Sequence, residues 1–204
     1  PLDTFHSEHY VLTERGAERL SIPAKADLVD LVQGRVILQL DEAWSVAGKT
    51  FGPGSVVQTE LAATKASPSA LRPALVWAPG VSEAGNGRSS TRDKLLLGVL
   101  DYVQGKAFVY TPSGNGWKRA PLALPQNASL SFVAADEKSD RAFIDVSGFL
   151  SPTALWLVDA GTGALRAVKE LPPKFDASHE IVEQFEATSS DRSEERRVGT
   201  GCRS

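Results

Sequence analysis

An all-β fold of small antiparallel sheets in tandem is what this chain predicts, and three observations predict it. Arg141 to Leu171 reads as short strands on tight turns: Arg141 to Val146 is rich in β-formers, Leu155 to Asp159 is densely apolar, and Ala164 to Val168 returns after Gly161-Thr162-Gly163. Asp93 to Leu122 repeats the plan with Leu95 to Leu100, Lys106 to Tyr110, a turn at Gly114-Asn115-Gly116 and a return over Trp117 to Ala120. A looser copy has Arg35 to Leu40, a turn around Gly52-Pro53-Gly54, and Ser55 to Leu61. Val57, Phe108 and Trp156 then stand 51 and 48 residues apart. A strand-turn-strand unit recurring at roughly 40–50 residues marks propeller blades, small sheets that bury their faces only against one another. The expectation is a partial β-propeller of about three to four antiparallel blades over residues 1–172.

Taken in order, residues 1–27 carry two plausible strands, Tyr10 to Leu12 and Arg19 to Ile22, around Glu14-Arg15-Gly16, and read as the end of an earlier blade. Leu28 to Val32 and Arg35 to Leu40 flank Gln33-Gly34, a tight hairpin. Trp44 precedes a polar hairpin from Gly48 to Gly54 and suits packing between blades better than stacking on a ligand. Thr64 to Ser69 is small and polar, fitting an exposed connection. Leu71 to Trp77 restarts an apolar strand whose Pro73 implies an edge or strand-start position. After Leu171, Pro172-Pro173 stops the last strand. Residues 173–191 hold one further strand, Ile181 to Ala187, and read as an exit segment from the propeller.

The totals exclude several function classes. At 204 residues and 42% apolar content the chain can bury a real core. No apolar run approaches the ~20 residues that span a bilayer, and PLDTFHSEHY has neither the basic start nor the apolar core of a signal peptide. Net charge is −3, and setting aside residues 192–204 leaves 18 basic against 23 acidic residues, net −5. No basic stripe with interleaved aromatics is present, which argues against nucleic acid as a partner. The absence of methionine and the opening on Pro1 suggest a stretch taken from inside a longer polypeptide. The single cysteine, Cys202, rules out a disulfide framework or thiolate cluster and leaves the compartment, cytoplasmic or periplasmic, open.

Each string that hints at chemistry has a blander reading. His6 and His9 have metal-pair spacing but no third ligand, and read as strand histidines facing solvent. Gly80-Val81-Ser82-Glu83-Ala84 nearly matches a nucleophile elbow, which needs a strand before and a helix after. The following Gly85-Asn86-Gly87-Arg88-Ser89-Ser90 cannot start a packed helix, so the string reads as a loop. Gly114 to Gly116 and Gly161 to Gly163 serve hairpins, with no helix following to cradle phosphate. Asn127-Ala128-Ser129 is a formal glycosylation sequon. Asp136, Glu137 and Asp140 form an acidic cluster lacking calcium-loop spacing, as expected of a solvated blade corner. Asp101 and Asp145 are candidates by blade position for a carboxylate pair across a funnel, as in a propeller glycosidase. No catalytic, cofactor or metal residue is assigned, and no cofactor is expected.

Lys94 to Leu100 with Asp101, Val109 to Pro121, Phe149 to Leu157, and above all Phe175-Asp176-Ala177-Ser178 with Val182-Glu183-Gln184 and Glu186 to Asp191 resemble the prolyl oligopeptidase family of serine peptidases. The resemblance is good from about Arg92 to Asp191 and looser before. It implies a parent enzyme in which a seven-bladed propeller caps an α/β-hydrolase domain carrying a Ser, Asp, His triad, and admits short peptides commonly cut after proline. Every triad residue of the family falls beyond the exit segment, and His179 does not match the family histidine. The resemblance therefore implies that this stretch alone is inactive, its partners being a missing hydrolase domain and a peptide substrate. Cutting a propeller open would also bare strand edges and blade faces. From Arg192 to Gly199 the chain departs from the family and resembles a translated sequencing adapter, so residues 192–204 are expected to be a non-native tail. The alternative, from another class, is a free-standing propeller that binds proteins or glycans through its loops.

Overall fold

The computed structural model describes residues 7–102, 104–177, 179–188 and 194–202, with side chains up to residue 183. Its strands run in chain order as β1 (Tyr10–Thr13), β2 (Gly16–Arg19), β3 (Ala26–Val32), β4 (Arg35–Leu40), β5 (Trp44–Val46), β6 (Lys49–Phe51) and β7 (Val56–Glu60). A short helix, α1 (Leu61–Ala66), follows. Then come β8 (Ala74–Trp77), β9 (Glu83–Ser90), β10 (Leu95–Asp101), β11 (Gln104–Ser113), β12 (Gly116–Pro121), β13 (Ala128–Ala135), β14 (Arg141–Gly148), β15 (Ala154–Asp159), β16 (Ala164–Glu170), β17 (Glu180–Thr188) and β18 (Glu194–Cys202).

Three four-stranded antiparallel sheets result, ordered β3-β4-β7-β8, β9-β10-β11-β12 and β13-β14-β15-β16. They are stacked as propeller blades, first strand beside first strand: β9 lies against both β3 and β13. Val57, Phe108 and Trp156 all fall on third strands, β7, β11 and β15, so the spacing read from the sequence is the blade repeat. The β1–β2 hairpin precedes the first blade, and β17 pairs with β18, Glu180 opposite Cys202.

Alternation explains the stacking. On β10, Leu95, Leu97 and Val99 join Val32, Ile37, Val56 and Trp77 in the seam between the first and second blades. Leu96 points the other way, into the seam with the third blade, beside Ala107, Val109, Leu130, Ala142, Ile144 and Val158. A strand buried on both faces reads as a continuous apolar run, which is why Leu95-Leu96-Leu97 shows no polar alternation. Gln33 and Gly34 both adopt positive φ, 46° and 76°, the twist that a two-residue hairpin requires.

Four local readings are corrected. The stretch read as a loop after Gly80 is a strand, β9, with the rings of Trp77 and Phe132 lying near its Gly85 and Gly87; low intrinsic β-propensity was overridden by pairing with β10. The connection from Thr64 is instead partly helical: Thr64 is buried, its hydroxyl 2.9 Å from both the Thr59 hydroxyl and the Glu60 carbonyl. The hairpin placed at Gly48 to Gly54 is formed by β5 and β6, turning at Ala47-Gly48. The second strand near the start is Gly16–Arg19, not Arg19 to Ile22. Pro73 sits just before β8, an edge strand of its blade, as its missing N–H requires.

Candidate functional site

The first strands β3, β9 and β13 form the inner side of the stack, and polar side chains cross between them. Arg88 donates to the Gln39 amide oxygen at 2.5 Å and lies 3.7 Å from the Asp27 carboxylate. The Ser90 hydroxyl donates to Asp30, and the Asn86 amide reaches the Leu130 carbonyl at 3.4 Å.

One rim carries the turns between first and second strands, and these are chained blade to blade. The Gln33 amide donates to Asp93 Oδ1 at 3.0 Å. Thr91 Oγ1 and the Asp93 backbone N–H in turn donate to Asp140 Oδ1, both at 2.9 Å. Hydrogen bonds from Gln33 and Arg92 hold the Asp93 carboxyl below the usual carboxylate range. The acidic cluster is thereby explained: Asp140 ties two blades together, while Asp136 accepts from Ser139 Oγ at 2.6 Å and the Lys138 N–H at 2.9 Å within its own turn. Among the described residues no group of three or more potential ligands has metal-site geometry.

On the opposite rim Ser82 Oγ donates to Asp101 Oδ1 at 2.8 Å, and Lys106 Nζ meets Asp101 Oδ2 at 2.6 Å. A strand, β9, follows Ser82 where a nucleophile elbow needs a helix, so this is not an elbow: the hydroxyl donates to a carboxylate that also meets Lys106. The Asp101 and Asp145 pair does not converge. Leu96 pairs with Val109 and Phe143 with Leu157, which puts Asp145 level with Gly98 and leaves Asp101 three residues beyond. This rim also bears a shallow groove lined by Phe149, Leu150, Pro152, Leu171, Pro173 and Phe175, where the chain leaves the third blade.

Other candidates take structural places. Trp44 is buried against Phe51, ring centroids 6.4 Å apart, on the face of the first blade that looks toward the start of the chain. His9, read from the sequence as a solvent-facing strand residue, instead lies just before β1 and is half-buried; His179 is exposed, while His6 and the Cys202 side chain lie outside the described residues. Asn127 precedes β13 at φ 55°. Sequence reasoning named Gln33 only as a hairpin residue and Asp140 only as part of a solvated corner, and passed over Asp93, so the latches that join them were missed; polar residues in successive first turns, seen only once the blades are aligned, were the available signal.

Stacked four-stranded blades, inner strands side by side, define a β-propeller architecture. No family model matches the chain. Over 173 residues it is 32% identical to an uncharacterised peptidase of Sinorhizobium fredii, a match covering 84% of this chain and 24% of that protein. An uncharacterised peptidase of Rickettsia prowazekii is 23% identical over 197 residues, 93% of this chain and 27% of that protein. A solved post-proline cleaving enzyme from Rickettsia typhi superimposes with a TM-score of 0.75 at 25% identity, over 94% of this chain and 28% of that one. Oligopeptidase B from Trypanosoma brucei shares the fold, with a TM-score of 0.64 at 11% identity, over 87% of this chain and 25% of that one. In sequence the chain resembles part of these peptidases, and its fold is that of propeller blades in prolyl oligopeptidases. It spans about a quarter of the length of the relatives it matches.

Proposed function

We propose that these blades are the substrate-gating part of a serine peptidase of prolyl oligopeptidase type that acts on short peptides. The observation that carries this reading is the superposition of nearly the whole chain on one quarter of a post-proline cleaving enzyme. In this reading residues 1–172 are propeller, residues 173–191 lead toward an α/β-hydrolase domain, and residues 192–204 are foreign to the natural protein. The hydrolase domain would rest on the rim where Phe149 and Phe175 are exposed, since the chain departs there. The inner strands, with Arg88, Asn86 and Ser90 engaged in fixed hydrogen bonds, would make a stiff wall that excludes folded proteins. The chain by itself is expected to leave a proline-containing reporter peptide uncut, whereas the uninterrupted natural reading frame cuts it and loses activity with a serine-directed inhibitor. Cleavage by the 204-residue chain that disappears in Ser82→Ala would overturn the assignment, as would genomic DNA past codon 191 that encodes a stop or further blades only.

A further inference from the structure

Asparagine is followed by glycine twice, at Asn86-Gly87 and at Asn115-Gly116. The pair carries a chemistry of its own, because glycine has no side chain to hinder close approach of its backbone nitrogen. That nitrogen attacks the asparagine Cγ, a C–N bond forms and the Cγ–Nδ2 bond breaks. The side-chain nitrogen leaves as ammonia, taking the proton of the glycine N–H, and a cyclic imide remains. Water then opens the imide at either carbonyl, giving aspartate or isoaspartate. The fold treats the two sites differently. Asn86 lies within β9, its amide donating to the Leu130 carbonyl at 3.4 Å, and its own carbonyl is packed on Gly98. Gly87 lies against Phe132, whose ring would stand 3.5 Å from an added Cβ. Asn115 instead is exposed in the turn between β11 and β12, and among the described residues its side-chain amide has no hydrogen-bond partner. A Cβ added to Gly116 would meet nothing nearer than the Ser113 carbonyl oxygen at 3.9 Å. The attack needs Cγ to swing onto the next nitrogen, a movement restrained at Asn86 and open at Asn115.

The same turn is part of the joint between the first and second blades. Two side chains of the first blade reach its main chain: Arg35 Nη2 donates to the Gly114 carbonyl at 2.8 Å and Gln58 Nε2 to the Asn115 carbonyl at 3.4 Å. Isoaspartate routes the main chain through the former side chain and lengthens it by a carbon, which displaces the carbonyl that Gln58 reaches. Gln58 is only 4% exposed, so an amide that loses this acceptor has little water to turn to.

We propose that Asn115 is a site of spontaneous deamidation, and that the isoaspartate formed there loosens the joint between the first two blades. Turn and joint both lie inside this chain, so the inference does not depend on the peptidase reading. To test it, the purified 204-residue chain is aged in mildly alkaline buffer and digested with trypsin, and the peptides are methylated by an isoaspartyl methyltransferase with a labelled methyl donor. Trypsin separates Asn86, in peptide 66–88, from Asn115, in peptide 107–118. Label in 107–118 should exceed that in 66–88 by roughly tenfold or more when the chain is aged folded, and the two should be alike when it is aged in urea. Gly116 takes no positive φ, so Gly116→Ala is compatible with the turn, and its methyl group should cut the label in 107–118 by roughly tenfold. The aged chain should unfold at a lower denaturant midpoint than the fresh one, while Asn115→Gln aged in the same way keeps its own. Equal labelling of the two peptides in the folded chain, or none in 107–118, would overturn the site. A heavily labelled chain with an unchanged midpoint, or an Asn115→Gln chain that weakens as much on ageing, would overturn the loosening.

Discussion

The two seams between blades meet the same requirement by opposite means. The seam between the first and second blades is filled by large groups: Trp77 and Tyr110 are buried in it, and Trp117 and Phe108 pack at its margin. Polar side chains line its edge, where Trp117 Nε1 donates to Gln58 Oε1 at 2.8 Å and the Arg35 guanidinium lies 5.8 Å from the Trp117 ring centre. The seam between the second and third blades is built by omission. Ala107, Ala128, Ala142 and Ala160 lie in it, and Gly105 lets the second blade approach the Ala128 carbonyl of the third. A common blade plan therefore tolerates a wide, partly polar joint beside a narrow, apolar one. Burial of sheet faces is conserved between the two joints, and side-chain size is not.

The narrow seam should be the less forgiving. Ile144 is fully buried there among alanines that cannot move in to fill a void. Ile144→Ala is expected to cost about 2–5 kcal/mol in the denaturant midpoint analysis. A loss below about 1 kcal/mol would show that the seam collapses and that its tightness is not structural. Gly105→Ala should follow at about 1–3 kcal/mol, because a Cβ built there meets the Ala128 carbonyl oxygen at 2.5 Å and Leu130 Cγ at 2.9 Å. The obstruction is backbone, so no rotamer relieves it.

In the wide seam the sensitive feature is polar satisfaction. Trp117→Phe keeps most of the ring but takes the donor away from the buried Gln58 oxygen, at an expected cost of about 1–3 kcal/mol. Adding Gln58→Leu should recover part of that loss, since removing both partners leaves nothing unsatisfied. A double variant no better than the single one would mean that shape, not the hydrogen bond, holds this joint.

What the sequence made legible follows the same division. Strands that carry β-branched or aromatic residues and end in glycine turns, such as β11 with β12 and β15 with β16, were readable within a residue or a few of their ends. The first strands were harder. Glu83–Ser90 holds two glycines and an asparagine, residues of low β-propensity, with Gly87 at a positive φ of 93°, and its strand character comes from its partner β10. Ala128–Ala135 does carry a period-two signal in Ala128, Leu130 and Phe132, which a sequon and an acidic turn on either side obscured. The candidate site was legible mainly as exclusions, because the latches join turns some fifty to sixty residues apart and only the stacking of the blades brings them together.

The smallest effect is the response of the rim carboxylates to acid. The Asp93 carboxyl is held below its ordinary range by donors from Gln33 and Arg92, Asp136 by Ser139 and the Lys138 N–H, and Asp159 by the Thr162 backbone N–H. A depressed folded-state value means that each group contributes stability above the unfolded carboxylate value of about 4, and the contribution is lost as pH falls through the lower folded value. Asp136 is exposed and Asp93 and Asp159 are only half-buried, so salt should shrink the effect. Asp93→Asn keeps an acceptor for the Gln33 amide but cannot titrate, and should flatten part of the fall in denaturation midpoint between about pH 5 and about pH 2. Ile144→Ala should lower the midpoint by a similar amount at both ends of that range, because the side chain it truncates does not titrate. An acid limb of equal depth in Asp93→Asn and the unaltered chain would show that the turn latches do not couple the blades.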